Sequence, residues 1–111
     1  MEPFNPKIRN DPEKQIQNAI IAFLNQRNWF VKSTHGNAYQ SGFPDLYAHH
    51  KIYGPRWIEV KNPEKYQFTV AQKKFFPLFE KHGAGIWVLT AANNVEYNKL
   101  FHAPNWHFYL R

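Results

Sequence analysis

The sequence predicts one α/β domain in which helices pack on a mixed β-sheet. Its 111 residues are enough for a single hydrophobic core but too few for two. Hydrophobic residues make up 43% of the chain and aromatic residues 18%, which is too apolar for a disordered chain. Periodic segments follow in the order helix, three strands, helix, strand, short helix, strand, and this order is typical of a mixed sheet flanked by helices. Residues 1–10 show no periodicity and are expected to form an extended N-terminal arm.

The first predicted helix begins after Asp11 and ends near Arg27 and Asn28. Asp11 suits the N-cap, and Pro12 suits the first helical position. At about 100° per residue, Glu13 falls at the edge of the apolar stripe, so its carboxylate is expected to look toward the sheet. The helix dipole alone also favours an acid in the first turn. The apolar stripe has helical spacing and consists of Ile16, Ala19, Ile20, Phe23 and Leu24.

Three strands are predicted after this helix, over residues 29–34, about 45–50 and about 56–61. Aromatic and β-branched residues dominate the first of them. The polar, glycine-containing segment 35–42 indicates a loop before the second strand. His35 in this loop is a candidate contact to a phosphate group.

The second and third strands are expected to form a hairpin that turns through residues 51–55. Asp45 then lies across from Glu59 or one diagonal step away, because the two positions are nearly symmetric about Ile52. Side chains alternate along a strand, so Glu59 and Lys61 share one face. Two carboxylates this close repel each other, and a hard divalent metal bound by their oxygens usually offsets this repulsion. The simpler alternatives are a turn-forming aspartate and solvated charges on an edge strand.

A second helix is predicted to begin after Thr69 and to stop at Gly83. Thr69 and Gln72 match a capping box, which by itself accounts for the glutamine. A functional role for Gln72 would then require its side chain to turn outward. Pro77 removes one backbone hydrogen bond inside the helix, so we expect a kink there or a helix in two pieces.

The remaining predicted elements are a strand over 86–90, a short helix and a final edge strand over 106–110. The strand over 86–90 is apolar enough to be buried on both faces. Asn93 or Asn94 is expected to cap the short helix, which runs to about Phe101.

Composition limits the class of partner. Fourteen Lys and Arg residues against eight Asp and Glu give a formal net charge of +6. This excess favours a polyanionic partner such as nucleic acid, although a generic basic surface gives the same balance. The chain has no cysteine, which excludes disulfides and thiolate zinc sites. No apolar run reaches the roughly 18 residues of a membrane span and no signal-peptide layout is present, so we expect a soluble, cytoplasmic protein without a membrane partner.

The chain resembles a known nuclease superfamily in three segments: Gly42-Phe43-Pro44-Asp45-Leu46, Ile58-Glu59-Val60-Lys61, and a glutamine on the following helix. They are similar to the PD-(D/E)xK nucleases, and most of all to the stand-alone VRR-NUC (virus-type replication-repair nuclease) domains of phages and bacteria. Those domains are similar in turn to archaeal-type Holliday junction resolvases. The resemblance covers roughly Glu13 to Leu89. It implies a restriction-endonuclease-like core with the order αβββαβ.

The resemblance also implies which residues form the site. Asp45 and Glu59 would bind Mg²⁺ or Mn²⁺, with the backbone carbonyl of Val60 as a further ligand. Glu13 matches an acid that the family contributes from its first helix to metal binding and catalysis. Lys61 would orient or activate the attacking water and offset negative charge on the phosphate.

The implied activity is metal-dependent endonucleolytic hydrolysis of DNA phosphodiester bonds. Gln72 matches the family glutamine that contacts the water or the phosphate. A homodimer acting on branched DNA such as four-way (Holliday) junctions is the form that the resolvase resemblance implies. Two alternatives stay open: cleavage of flap or linear duplex DNA, and a catalytically silent nucleic-acid-binding domain of the same fold. Candidate contacts to the DNA backbone are basic side chains, namely Lys14, Lys32, Lys65 and Lys73.

Overall fold

The chain folds around a four-stranded mixed sheet in the computed structural model, which describes residues 11–34 and 41–110. The predicted N-terminal arm and His35 lie outside the described residues. In chain order the elements are α1 (Pro12–Asn25), β1 (Trp29–Ser33), β2 (Leu46–His50), β3 (Gly54–Val60), α2 (Val70–Lys81), β4 (Ile86–Leu89) and α3 (Asn94–Asn98), followed by short 3₁₀ helices at Lys99–Phe101 and Trp106–Tyr109. None of the helices in this part of the chain is long and apolar enough to cross a membrane.

Helix α1 begins as predicted and ends slightly early. The Asp11 carboxylate accepts a hydrogen bond from the Lys14 N–H at 3.0 Å, and Pro12 occupies the first helical position. The helix ends at Asn25 because the chain leaves it through a turn in which Asn28 adopts a φ of 69°. A residue in this left-handed conformation cannot continue a right-handed helix.

The sheet is mixed, as predicted. Strands β1, β2 and β3 pair in an antiparallel sense, whereas β4 lies parallel to β3. The pairing of β2 with β3 places His50 opposite Gly54. The connecting turn is therefore centred on Ile52, where the symmetry of the sequence predicted it.

The buried apolar residues form two clusters, one on each face of the sheet, so the expectation of a single core is wrong. Helix α1 packs on one face and helix α2 on the other, and β4 is buried on both sides as its apolar sequence predicted. The core on the α1 side contains Ile20, Leu24, Trp29, Leu46, Ala48, Ile58, Val60, Trp87, Leu89 and Leu100. The core on the α2 side contains Phe68, Phe76, Ile86, Val88 and Trp106.

Helix α2 is one continuous helix, so of the two alternatives expected at Pro77 the helix in two pieces is wrong, and the kink stays a prediction. Thr69 and Gln72 form the predicted capping box, and Gly83 adopts a φ of 85° just beyond the end of the helix. Pro77 lies inside the helix on its exposed side. Pro77 has no N–H to donate to the Lys73 carbonyl. Because Lys73 is exposed, its carbonyl can accept a hydrogen bond from water instead, and the helix can continue.

The predicted final strand over 106–110 is also wrong, because Trp106–Tyr109 forms a 3₁₀ helix. The Asn105 side chain explains the difference. Its Oδ1 accepts from the Val88 N–H at 2.6 Å and its Nδ2 donates to the Val88 carbonyl at 3.2 Å. The amide thus takes the place of a neighbouring strand at this edge of β4, and Trp106 packs into the α2-side core instead. The short helix capped by Asn93 forms as predicted and passes into a 3₁₀ turn ending at Phe101.

Two glycines with similar positive φ angles allow a matched stability test. Gly42 has a φ of 88°, and a Cβ there would lie 2.5 Å from the Phe75 ring; Gly83 has a φ of 85° with open space around it. Gly83→Ala is expected to lose about 1–2 kcal/mol of unfolding free energy from backbone strain alone. Gly42→Ala adds overpacking and is expected to lose about 2–5 kcal/mol. Urea unfolding of both variants measures the difference, and equal losses would contradict the close approach of Gly42 to α2.

Candidate active site

The two predicted acids face each other at one end of the sheet. β2 and β3 pair Leu46 with Ile58, and one step further along the same register Asp45 lies opposite Glu59. Lys61 follows directly after β3. The hairpin therefore gives the closer of the two predicted arrangements, with Asp45 directly across from Glu59.

Each acid receives a backbone N–H from the opposite strand. The Asp45 N–H donates to Glu59 Oε1 at 3.1 Å, and the Val60 N–H donates to Asp45 Oδ2 at 2.7 Å. Both side chains are withdrawn from solvent, with 6% of Asp45 and 1% of Glu59 exposed. These reciprocal hydrogen bonds hold the carboxylates side by side and limit their rotation.

Strand β1 supports Asp45 from the other side. Thr34, which follows β1, donates its N–H to the Asp45 carbonyl at 2.9 Å. Its buried hydroxyl donates to the carbonyls of Pro44 and Asp45. Sequence reasoning missed Thr34, because its partners are backbone atoms ten and eleven residues away along the chain.

Lys61 is buried beside Glu59, with 4% of the residue exposed. Its Nζ lies 2.9 Å from Glu59 Oε2 and donates to the Gln67 carbonyl at 2.8 Å and to Gln72 Oε1 at 3.4 Å. The ammonium also lies 4.6 Å from the centre of the Phe68 ring. A lysine has three protons to donate, so each has an acceptor here, and the ammonium is held at a defined position.

Gln72 caps helix α2 and contacts Glu59 at the same time. Its Oε1 accepts from the Thr69 N–H at 3.0 Å, which completes the capping box. Its Nε2 donates to Glu59 Oε2 at 2.7 Å. Gln72 is buried, not turned outward, and the oxygen and nitrogen of its one amide serve Thr69 and Glu59 separately. Contact of Gln72 with water or phosphate stays a prediction.

Burial and the charge of Asp45 raise the pKa of Glu59 to about 8 from an ordinary value of 4.5. The ion pair with Lys61 and the hydrogen bond from Gln72 act in the opposite direction but do not offset that rise. Burial and repulsion by Asp45 thus disfavour the ionised form of Glu59, and added positive charge would favour it.

The acids, the lysine and the glutamine line a cavity of about 550 Å³ between the start of α1 and the start of α2. Helix α1 contributes Glu13, so this acid shares the cavity with Asp45 and Glu59. It also contributes Gln17, one turn further along, which sequence reasoning missed. The signal for Gln17 was a polar residue four positions after Glu13 at the border of the apolar stripe.

The sequence matches no protein-family model and no curated protein. Among solved structures, a chain described as "VRR_NUC domain" is similar to this one, with a TM-score of 0.64 and 22% sequence identity. The similarity covers 78% of this chain and 91% of that chain. This chain has the VRR_NUC fold. The predicted restriction-endonuclease-like α/β core is thereby confirmed.

The donor set of this VRR_NUC fold suits a hard divalent cation. Asp45 and Glu59 supply carboxylate oxygens, which Mg²⁺ and Mn²⁺ prefer, and added positive charge would relieve the buried, mutually repelling pair. Among residues 11–34 and 41–110, no group of three or more His, Asp or Glu side chains is arranged to hold one ion. A cation would thus need backbone or water oxygens as well, as Mg²⁺ usually does. Metal ligation by Asp45, Glu59, Glu13 and the Val60 carbonyl stays a prediction.

Three of the four predicted DNA-contacting lysines line hollows around the site. Lys14 lines the acid cavity itself, Lys65 a neighbouring hollow of about 320 Å³, and Lys73 another of about 350 Å³. Gln67 lines all three and was missed, because it acts at the site through its backbone carbonyl. Lys32 lies on edge strand β1 and lines none of these three hollows.

Proposed function

We propose that this chain is a metal-dependent endonuclease that hydrolyses phosphodiester bonds of DNA. The observation that carries the proposal is the direct opposition of the buried Asp45 and Glu59 carboxylates, with Lys61 against Glu59 in the same cavity. The VRR_NUC fold supports it, since that name denotes a nuclease domain. The sequence resemblance to PD-(D/E)xK nucleases assigns catalytic roles to the same residues.

In this proposal Asp45, Glu59 and the carbonyl of Val60 hold Mg²⁺ or Mn²⁺, with Glu13 as a further acid. A hard divalent cation supplies Lewis acidity toward a phosphate oxygen and a lowered water pKa. The chain supplies the position: two backbone N–H groups fix the carboxylates, so the site is formed before the substrate arrives.

Lys61 provides the positive charge that does not depend on a metal. Its ammonium faces the acid cavity, where it can offset negative charge on the oxygens of a phosphate under attack and orient the attacking water. Gln72 is a positioning residue in this scheme. Its amide contacts Glu59 and Lys61 together and is itself tied to the first turn of α2.

The proposed substrate is DNA, because the net charge of +6 favours a polyanion and lysines line the three adjoining hollows. We propose branched DNA and a homodimer on the resolvase resemblance, since a two-fold dimer presents two sites to the symmetric strands of a four-way junction. Cleavage of flap or linear duplex DNA is the alternative nuclease activity.

Incubation with labelled four-way junction, flap and linear duplex DNA tests this proposal. Cleavage is expected in Mg²⁺ or Mn²⁺ and not in EDTA. The homodimer predicts paired symmetric cuts in the junction and sedimentation at about twice the chain mass of 13.2 kDa. No cleavage of any substrate in either metal would reject the enzyme and favour the catalytically silent DNA-binding domain.

A further inference from the structure

A second hollow beside the acid cavity has the size and lining of a binding site. Its volume of about 350 Å³ lies within the range of about 300–1,000 Å³ that is usual for small-ligand pockets. It is lined by two tyrosines, a lysine and neighbouring residues of the α2-side core: Tyr66, Gln67, Phe68, Lys73, Tyr109 and Leu110. None of these residues is required by the hydrolytic mechanism except Gln67, through its carbonyl.

The hollow adjoins the proposed catalytic cavity directly. Gln67 lines both, and its carbonyl accepts from Lys61 Nζ at 2.8 Å. Phe68, which also lines the hollow, lies under the same ammonium. A group bound in the hollow would therefore be the immediate neighbour of a phosphate held at Lys61.

The aromatic lining suits the flat face of a nucleobase. Tyr66 and Tyr109 are half-buried, with ring centroids 5.8 Å apart and ring planes inclined by 67°. Both residues line the hollow, so a base bound there would lie beside their rings. Stacking on such rings is a common way for proteins to hold unpaired bases.

The polar lining suits the rest of a nucleotide. Tyr109 Oη accepts from Lys99 Nζ at 3.1 Å, and Lys99 is in turn held by Glu96 at 2.6 Å. Because the tyrosine oxygen acts as the acceptor in that bond, its own proton is left to be donated to a ligand oxygen or nitrogen. Lys73 is an exposed residue that lines the same hollow, where its ammonium can pair with a phosphate.

We propose that this hollow binds one unpaired DNA nucleotide next to the scissile phosphate, with the base against Tyr66 and Tyr109 and a backbone phosphate at Lys73. The proposal rests on the proposed nuclease function and adds a condition on its substrate. A base inside a duplex has both faces stacked and cannot enter a pocket, so at least one nucleotide beside the cut must be unpaired.

Binding measurements in EDTA test the subsite without any cleavage. Fluorescence anisotropy is followed with a short single-stranded oligonucleotide in which one abasic position is moved along the strand. In the wild-type chain, one position is expected to be sensitive, with an affinity loss of about tenfold when its base is missing. Tyr66→Ala is expected to bind the intact strand about tenfold more weakly and to lose that sensitivity, whereas Tyr66→Phe keeps both because it keeps the ring.

A lysine pair controls for charge. Lys73→Gln is expected to weaken binding and to reduce the slope of log affinity against log salt concentration by about one. Lys51 lies on the exposed turn at the far end of the β2–β3 hairpin, so Lys51→Gln is expected to change the affinity and the slope less. No measurable binding by the wild type, or an abasic profile that is the same in Tyr66→Ala, would overturn the subsite. Because no metal is present, failure of the nuclease proposal shows in the cleavage assay and failure of the subsite shows here.

Discussion

Asp45→Asn is expected to lower DNA cleavage by about a thousandfold or more while the chain stays folded. Charge stabilisation by a bound cation contributes several kcal/mol to such reactions, and a loss of about 4 kcal/mol corresponds to a factor of about a thousand. The fold should tolerate the change, because an asparagine oxygen can still accept the Val60 N–H that now donates to Asp45 Oδ2 at 2.7 Å. DNA binding is expected to be retained or strengthened, since one negative charge facing the phosphate is removed.

Asp11→Asn is the matched control for this variant. Asp11 lines the same cavity and carries the same charge, but its carboxylate caps α1, and asparagine is an equally good cap. It should keep most of the cleavage activity. Single-turnover cleavage in Mg²⁺, with circular dichroism and anisotropy on the same preparations, separates lost chemistry from lost folding or binding. Wild-type rates from Asp45→Asn would remove this residue from the site.

The centre of the site could be predicted from sequence because it is local. Asp45 and Glu59 belong to one hairpin, and the register of a hairpin follows from where its turn lies, which the symmetry about Ile52 indicated. Capping of α1 by Asp11 was local in the same way. For such local features, the residue pattern itself determines the strand register or the helix cap, so the geometry can be predicted from the sequence.

The errors and omissions came from contacts between distant parts of the chain. Residues 106–110 have the composition of a strand, but Asn105 hydrogen-bonds to the backbone of Val88, seventeen residues earlier, and closes the edge of β4. Thr34 donates its hydroxyl to the backbone carbonyls of Pro44 and Asp45, and Gln67 accepts from Lys61 through its own backbone carbonyl. In each contact one partner is a backbone atom, which the residue type does not reveal. The double use of the Gln72 amide required knowing that α2 begins directly over Glu59.

The site combines features that a stable core avoids. Two acids and a lysine are buried together. The raised pKa of Glu59 indicates that attraction to Lys61 does not offset the cost of burying the Glu59 charge and its repulsion by Asp45. Conflicts of this kind are typical of functional sites, where the missing partner is supplied by ligand or substrate. The unfolding free energy of the chain should therefore depend on pH and on divalent metal.

Without metal, the unfolding free energy of the wild type is expected to fall as pH rises from about 5 to about 8. In the unfolded chain the Glu59 carboxyl loses its proton near 4.5, whereas in the folded chain it keeps the proton up to about 8. Between these values the folded state binds more protons, so raising the pH favours unfolding; above about 8 the two states no longer differ at this group. The fall should be on the order of 4 kcal/mol.

Glu59→Gln isolates this contribution, because a neutral amide does not titrate and any hydrogen bond it loses shifts its stability equally at all pH values. Urea unfolding of both proteins in EDTA measures their unfolding free energies. The value for the variant minus the value for the wild type should increase between pH 5 and 8 and stay constant above pH 8. Mg²⁺ should reduce the pH dependence of the unfolding free energy in the wild type and leave that of the variant nearly unchanged, since a cation favours the ionised carboxylate. If the unfolding free energies of the two proteins change in parallel with pH across the whole range, Glu59 ionises as an ordinary surface acid. Repulsion between Glu59 and Asp45 would then not explain metal binding at this site.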